Sequence, residues 1–190
     1  MAHRARFAAQ LAALVGALAL GGGAFADTGG AGAPVISHVT NKPVPRFEAL
    51  RFNTVNGRNG PGRDHPIAWQ YSRAGLPVLI LKETNAWRYV RDPAGDEVWI
   101  HERMLRPATT ALALEQATLV ADAREGARPR AYVEAGAIVT LGRCEAGYCH
   151  VSSGRAGGWA PRSVLWGAPW PAPVGGASDT GEAAPADIAG

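Results

Sequence analysis

Between Leu50 and Arg106 apolar residues come in short runs, among them Val78-Leu79-Ile80, Trp87-Arg88-Tyr89-Val90 and Val98-Trp99-Ile100. Glycine and proline punctuate them, as in Gly60-Pro61-Gly62 and Gly75-Leu76-Pro77, and no helical period is sustained. The runs are rich in β-branched and aromatic side chains, a pattern that predicts a small all-β domain of short strands joined by turns. Strict alternation in Trp69-Gln70-Tyr71 and in Trp87-Arg88-Tyr89 puts each aromatic pair on a single face of its strand.

The chain also repeats itself. Asn56-Gly57-Arg58-Asn59-Gly60 lines up with Asp122-Ala123-Arg124-Glu125-Gly126, and Gly75-Leu76-Pro77-Val78 with Gly136-Ala137-Ile138-Val139. Val90 then matches Val151, Trp99 matches Trp159 and Leu105 matches Leu165, with Tyr148 standing opposite Trp87. The offset falls from 66 to 61 to 60, so the copies differ by short deletions of the kind that loops accept. Two modules of roughly 60 residues follow, each near the lower size limit for an independent core. The second reads as a degraded copy of the first, reached through the short connection Pro107-Ala108-Thr109-Thr110.

The ends are of a different character. Arg4 and Arg6 precede the apolar run Phe7 to Leu20, and Ala24-Phe25-Ala26 supplies a small-x-small site. These are the parts of a secretory signal peptide, 1–26, cleaved after Ala26. The run is short of the ~20 residues a spanning helix needs, so no stable membrane span is expected after cleavage. Residues 27–45 read as a flexible linker and 168–190 as a disordered tail, both rich in Gly, Ala and Pro, with Trp170 a residue that docks back on the second module. Export, to the periplasm or beyond, is the expectation. Removing the leader takes two arginines and no acid, leaving 17 basic against 16 acidic residues and a formal charge of +1 where the full chain has +3. So balanced a chain carries no electrostatic footprint for nucleic acid, and Arg124 to Arg130 reads as a solvated turn.

The ordered set Asn56-x-Arg58-x-Gly60-Pro61-Gly62, Gly75-Leu76-Pro77-Val78, Trp87-Arg88-x-Val90-Arg91-Asp92 and Trp99-Ile100-His101 with Met104-Leu105 resembles the bacterial Src-homology-3-like domain family of exported proteins. The resemblance implies two tandem small SH3-like β-barrels, 46–107 and 110–167. It makes Thr110 to Val120 a linker running into the first strand of the second barrel, although Ala, Leu, Glu and Gln there favour helix. Two positions depart from the family pattern: Gly57 and Asn59 stand where apolar strand residues are usual, and Glu97-Val98 replaces the usual glycine before Trp99. A frayed or bulged first strand is the expected consequence.

Candidate chemistry is sparse. Cys144 and Cys149 are the only cysteines, and an even pair in a small exported domain forms a disulfide. Their spacing fits a hairpin with a four-residue loop containing Gly147, and the family resemblance extends a Cys-x4-Cys pair to these positions. The following His150 makes a spacing variant of c-type haem attachment, without an evident axial partner or apolar pocket. His38, His65, His101 and His150 form no zinc cluster, so no metal and no cofactor is expected. A thiol nucleophile would need a peptidase domain that this length does not supply. Glu83, Asp92, Asp96, Glu97 and Glu102 fall in turns, where acids are usually solvated, and no serine sits in a nucleophile elbow.

Binding rather than catalysis is therefore the expected role. The resemblance implies a shallow groove for extended peptides, with Tyr71, Trp87, Tyr89 and Asp92 as its residues and Arg58 as a carboxylate partner. For each aromatic pair the alternative is a place in the core, Trp87 and Trp99 being bulky enough to anchor a small barrel. The implied ligand is a peptidoglycan stem peptide or an extended segment of an envelope protein. The alternative is a structural, adaptor or regulatory protein docking on an envelope partner such as a cell-wall hydrolase.

Overall fold

The computed structural model describes residues 34–169. Within them the chain is built of strands, with two single 3-10 turns at Glu102–Met104 and Arg162–Val164. A short hairpin, β1 (Val35–Ile36) and β2 (Pro43–Val44), comes first. The first large sheet contains β3 (Arg46–Leu50), β4 (Val55–Arg58), β5 (Ile67–Tyr71), β6 (Pro77–Glu83), β7 (Trp87–Arg91), β8 (Glu97–His101) and β9 (Leu105–Pro107), in the order β5-β4-β8-β7-β6-β3-β9. The second contains β10 (Thr110–Ala113), β11 (Ala117–Val120), β12 (Pro129–Val133), β13 (Ile138–Glu145), β14 (Tyr148–Ser153), β15 (Ala156–Pro161) and β16 (Leu165–Trp166), in the order β12-β11-β15-β14-β13-β10-β16. Counted from the first strand of each, the two orders are identical. The fold is two tandem SH3-like barrels, and the stretch from Thr110 to Val120 holds no helix but two strands, β10 and β11, joined by a bend at 114–116.

The repeat is real, but its opening match needs correcting. In the first barrel Arg58 pairs with Trp99, and in the second Val120 pairs with Trp159. Asn56 thus corresponds to Thr118, and Asp122 to Gly126 lie in the turns that follow β11. The arginine-glycine likeness that suggested the other match belongs to a loop. Register here is set by side-chain volume: a Cβ on Gly57 would lie 2.6 Å from Val98 Cγ2, so only glycine fits opposite valine. In the second barrel the sizes are exchanged. Leu119 fills the place of Gly57, and Gly158 takes that of Val98, where a Cβ would lie 3.0 Å from Leu119 Cβ. The two departures from the family pattern are one compensated swap. The bulge expected in this strand is present, between Gly57 and Arg58.

Each barrel has its own core. The first holds Leu50, Val55, Tyr71, Val78, Ile80, Val90, Val98, Ile100 and Leu105. The second is leaner, with Ala111, Ala113, Ala160 and Ala168 beside Leu119, Val133, Val139, Val151, Val164 and Leu165. Neither Trp87 nor Trp99 fills a core; small aliphatic side chains do. The barrels touch through the ring of Trp166, edge-on to Phe47 at 5.1 Å, whose Nε1 donates to Pro77 O at 2.9 Å. Thr110 Oγ1 donates to Gly75 O (2.6 Å) and Arg73 to Gly136 O (2.9 Å).

The disulfide joins Cys144 to Cys149 across β13 and β14. The loop is shorter than expected. Glu145 and Tyr148 already pair, leaving Ala146 and Gly147 as a two-residue turn with φ of 48° and 81°, both in the left-handed region. At the corresponding place in the first barrel, β6 and β7 bring Glu83 opposite Arg88, and Arg88 Nε lies 3.0 Å from Glu83 Oε1. One barrel thus closes this hairpin with an ion pair and the other with a covalent bond.

Glu83 corrects two sequence expectations. Its side chain is only 1% exposed, not solvated in a turn, and it also accepts from Arg46 (2.6 Å) and Thr40 Oγ1 (2.7 Å). Through Thr40 it ties down the β1–β2 hairpin, so the part of the lead-in from residue 34 to 45 is folded on the first barrel. Asn41 makes its turn possible, at φ 55°. The leader 1–26, its cleavage site at Ala26, residues 27–33, Trp170 and the rest of the tail lie outside the described residues.

Two outcomes are expected. Gly57→Leu alone should destabilise the first barrel by about 1–3 kcal/mol through overpacking, and Gly57→Leu with Val98→Gly should recover most of that loss in a thermal melt. The two clasps should respond to different conditions. Burial alone would raise the Glu83 pKa, but hydrogen bonds from Arg46, Ser37 and Thr40 outweigh it and hold the carboxyl at about 2, against 4.5 when free. A depressed pKa contributes stability that is complete above the unfolded value and lost as pH falls toward the folded one. Stability worth about 2–3 kcal/mol should therefore drain between pH 4.5 and 2, and Glu83→Gln should remove that dependence. Reduction should instead cost the second barrel about 2 kcal/mol. Amide exchange in β6–β7 and in β13–β14 reads the two separately.

Candidate functional site

The β7–β8 hairpin presents an aromatic ladder on its outer face. Strand alternation sends Val90, Val98 and Ile100 inward and Trp87, Tyr89, Trp99 and His101 outward. Register then pairs Trp87 with His101, Tyr89 with Trp99 and Arg91 with Glu97. The first two rungs are in ring contact, Trp87 and His101 edge-on at 5.2 Å and Tyr89 and Trp99 tilted at 5.1 Å. Lys82 Nζ lies over the Tyr89 ring at 5.7 Å, within cation–π range. The third rung is an ion pair, Arg91 reaching Glu97 Oε1 at 2.6 and 2.9 Å. Tyr89 Oη donates to the other oxygen of Glu97 at 2.7 Å, which raises the phenol and lowers the carboxyl relative to their ordinary pKa values.

Beside the first rung lies a cleft of about 180 Å³ lined by Thr54, Asn56, Arg58, Arg63, Trp87, His101, Arg103 and Met104. It holds three arginines and no carboxylate. Arg58 is braced by donating to His65 O at 2.6 Å. His101 caps the 3-10 turn that follows it, its Nδ1 accepting from the Arg103 N–H at 3.2 Å. With Nδ1 accepting, Nε2 is the ring nitrogen that carries the N–H donor.

Of the five residues expected to form a groove, Trp87, Tyr89 and Arg58 share this surface. Tyr71 and Asp92 do not. Tyr71 is 5% exposed within the core and donates its hydroxyl to Asp92 Oδ2 at 3.1 Å. Burial first, then the Asp92 carboxylate, pushes the phenol well above its usual pKa. Asp92, itself 4% exposed, accepts from the N–H groups of Ala94 and Asp96 and so organises the β7–β8 turn. The reason is register: Tyr71 pairs with Val55, whose side chain points to the core. This couple is structural. It positions the ladder from behind without lining it.

Sequence reading missed His101, Arg63 and Arg103. A usable signal existed, since Trp87-x-Tyr89 and Trp99-x-His101 flank a turn at Asp92 to Asp96 and must face one another if they pair in register. The second barrel repeats the middle rung as His150 with Trp159, edge-on at 5.5 Å, with Arg143 over the Trp159 ring at 5.1 Å. Lys82 and Arg143 occupy the same place in their barrels.

Two solved structures are similar in part: NlpC2 from Trichomonas vaginalis, at 18% identity and a TM-score of 0.31 over 68% of this chain and 49% of that one, and NlpC1 from the same organism, at 17% and 0.31 over 68% and 48%. The chain spans about half the length of each. A comparison with curated proteins gives no match. The family model described as bacterial SH3 domain matches twice, over residues 52–107 and 115–167. Those spans take in most of both barrels, and the chain belongs to the bacterial SH3 domain family.

Proposed function

We propose that this protein is a non-catalytic, exported binding module that takes an extended, carboxylate-bearing peptide of the bacterial cell wall on the aromatic face of its first barrel. The observation that carries the reading is the joining of the Trp87–His101 and Tyr89–Trp99 rungs to a cleft rimmed by Arg58, Arg63 and Arg103. Paired rings are held in place before a ligand arrives, which reduces the entropy lost on binding. Successive rungs stand two residues apart, about 7 Å, the spacing of alternate side chains in an extended peptide. Guanidinium forks match carboxylates in shape and charge.

Other features support the same reading. Both cysteines are engaged in the disulfide, so neither serves as a thiol nucleophile, and the bond suits an oxidising compartment. Among the described residues no helix is long and apolar enough to cross a membrane.

The test is co-sedimentation of the intact chain with purified peptidoglycan sacculi at low and moderate salt. Retention should survive moderate salt, because ring contacts are not screened. Trp87→Ala should weaken it about tenfold, whereas Tyr71→Phe, behind the ladder, should leave it unchanged. Failure of the wild-type chain to be retained at either salt would overturn the cell-wall assignment and leave an envelope protein as the partner of this face.

A further inference from the structure

At the third rung the second barrel is open where the first is closed. We infer that it carries a separate binding site there, for an anionic group (carboxylate or phosphate) seated between Arg130 and Arg155. In the first barrel the third rung is filled by the Arg91–Glu97 ion pair and sealed by the Tyr89 hydroxyl. At the same register the second barrel has Ser152 opposite Gly157. Two long side chains are gone. In their place is an open cleft of about 470 Å³, lined by Arg130, His150, Ser152, Arg155 and Gly157 among others, and no lining residue carries a carboxylate.

Both arginines are additions to the barrel plan. Arg130 lies at the β-bulge of the β11–β12 pair, the position that Ala68 holds in the β4–β5 pair. Bulges re-aim side chains, and here a cation has replaced a methyl group. Arg155 sits in the β14–β15 turn, whereas the turn of the first barrel, Asp92 to Asp96, carries two carboxylates and no cation. Neither Arg130 nor Arg155 joins an ion pair among the described residues. Two unpaired guanidinium groups converging on one cleft repel each other until an anion enters, and Ser152 supplies a hydroxyl donor beside them. The His150 ring, held edge-on to Trp159, forms the side wall of the cleft on which the body of the ligand rests. The second barrel is therefore not a decayed copy. It has exchanged a closed, charge-balanced rung for an open, cationic one.

The test is a titration of the intact chain, labelled with ¹⁵N, by N-acetylalanine as the carboxylate probe and glycerol 3-phosphate as the phosphate probe. Saturable shifts of the Ser152, Gly154 and Gly157 amides are expected with at least one probe, and the tighter of the two names the source of the anion. Arg130→Ala with Arg155→Ala, both exposed in the free protein, should weaken that binding about tenfold or more. Ser152→Arg with Gly157→Glu, which rebuilds the closed rung of the first barrel, should abolish it. If the latter pair does not fold, the arginine pair still decides. No saturable shift with either probe, or shifts indifferent to the arginine pair, would overturn the inference. Sacculus retention through Trp87 is read separately, so either site can fail while the other stands.

Discussion

Each barrel is closed by one close approach, between its second and sixth strands, and nearly everything on its outer face follows from it. The contact is narrow: Arg58 with Trp99 in one barrel, Val120 with Trp159 in the other, each a single pairing between strands that otherwise bond elsewhere. Beside it the two backbones leave room for one large side chain and one glycine. Gly57 with Val98 meets that constraint in one way, and Leu119 with Gly158 in the mirror way. Cores tolerate exchanges that conserve volume far better than additions to a filled site. Once this contact is fixed, the tryptophan next to it is fixed too, and with it the partner across the sixth and fifth strands. The ladder inherits its register from a packing constraint inside the barrel.

The same economy governs the hairpin of the fourth and fifth strands. Glu83 faces Arg88 where Cys144 faces Cys149, at equal spacing along the chain and after an equivalent bulge. A buried ion pair is not cheap, since both charges must be desolvated and their remaining valences filled. Here they are filled: Glu83 also holds Arg46 and Thr40, and Arg88 also reaches Glu102 at 2.8 Å and the carbonyl of Thr84 at 2.9 Å. The disulfide needs no such retinue. That suits the second barrel, whose alanine-rich core has less apolar surface to give, and Cys149 is itself fully buried within it.

Much of this was legible in the sequence, and the misses share a cause. Strand character, the repeat and the disulfide all rest on local pattern, and local pattern is what a sequence displays. Tyr71 and Asp92 were misplaced because period-2 alternation says that residues share a face without saying which face is inside. Trp87 and Trp99 looked like core anchors because of their size, yet a barrel this narrow fills with valine and isoleucine and leaves its tryptophans half out. Glu83 looked solvated because turns usually are; its partners Arg46 and Thr40 are more than thirty-five residues away in the chain. The Gly57–Val98 exchange was visible only as two unrelated oddities, since nothing in a linear reading says that they touch.

What separates the two barrels is thus concentrated at matched positions rather than spread through them. Their strand orders are the same, their bulges coincide and their middle rungs keep a cation, a ring and a tryptophan. Along the ladder, change is confined to the rungs on either side. In the first barrel the rung toward β9 is aromatic and opens on arginines, while the rung toward the turn is an ion pair. In the second barrel Tyr148 and Pro161 fill the former place, and the latter is open. A copy losing function by drift would lose the middle rung as readily as the flanking ones, and would gain cations at the emptied position no more often than elsewhere. The open end has moved from one side of a retained centre to the other. Because Trp166, Thr110 and Arg73 bond the barrels to each other directly, the two open ends sit at a fixed separation. Two weak contacts held at a fixed span combine into strong retention only on a ligand that repeats at that span, which is the property of a polymer and not of a single small molecule.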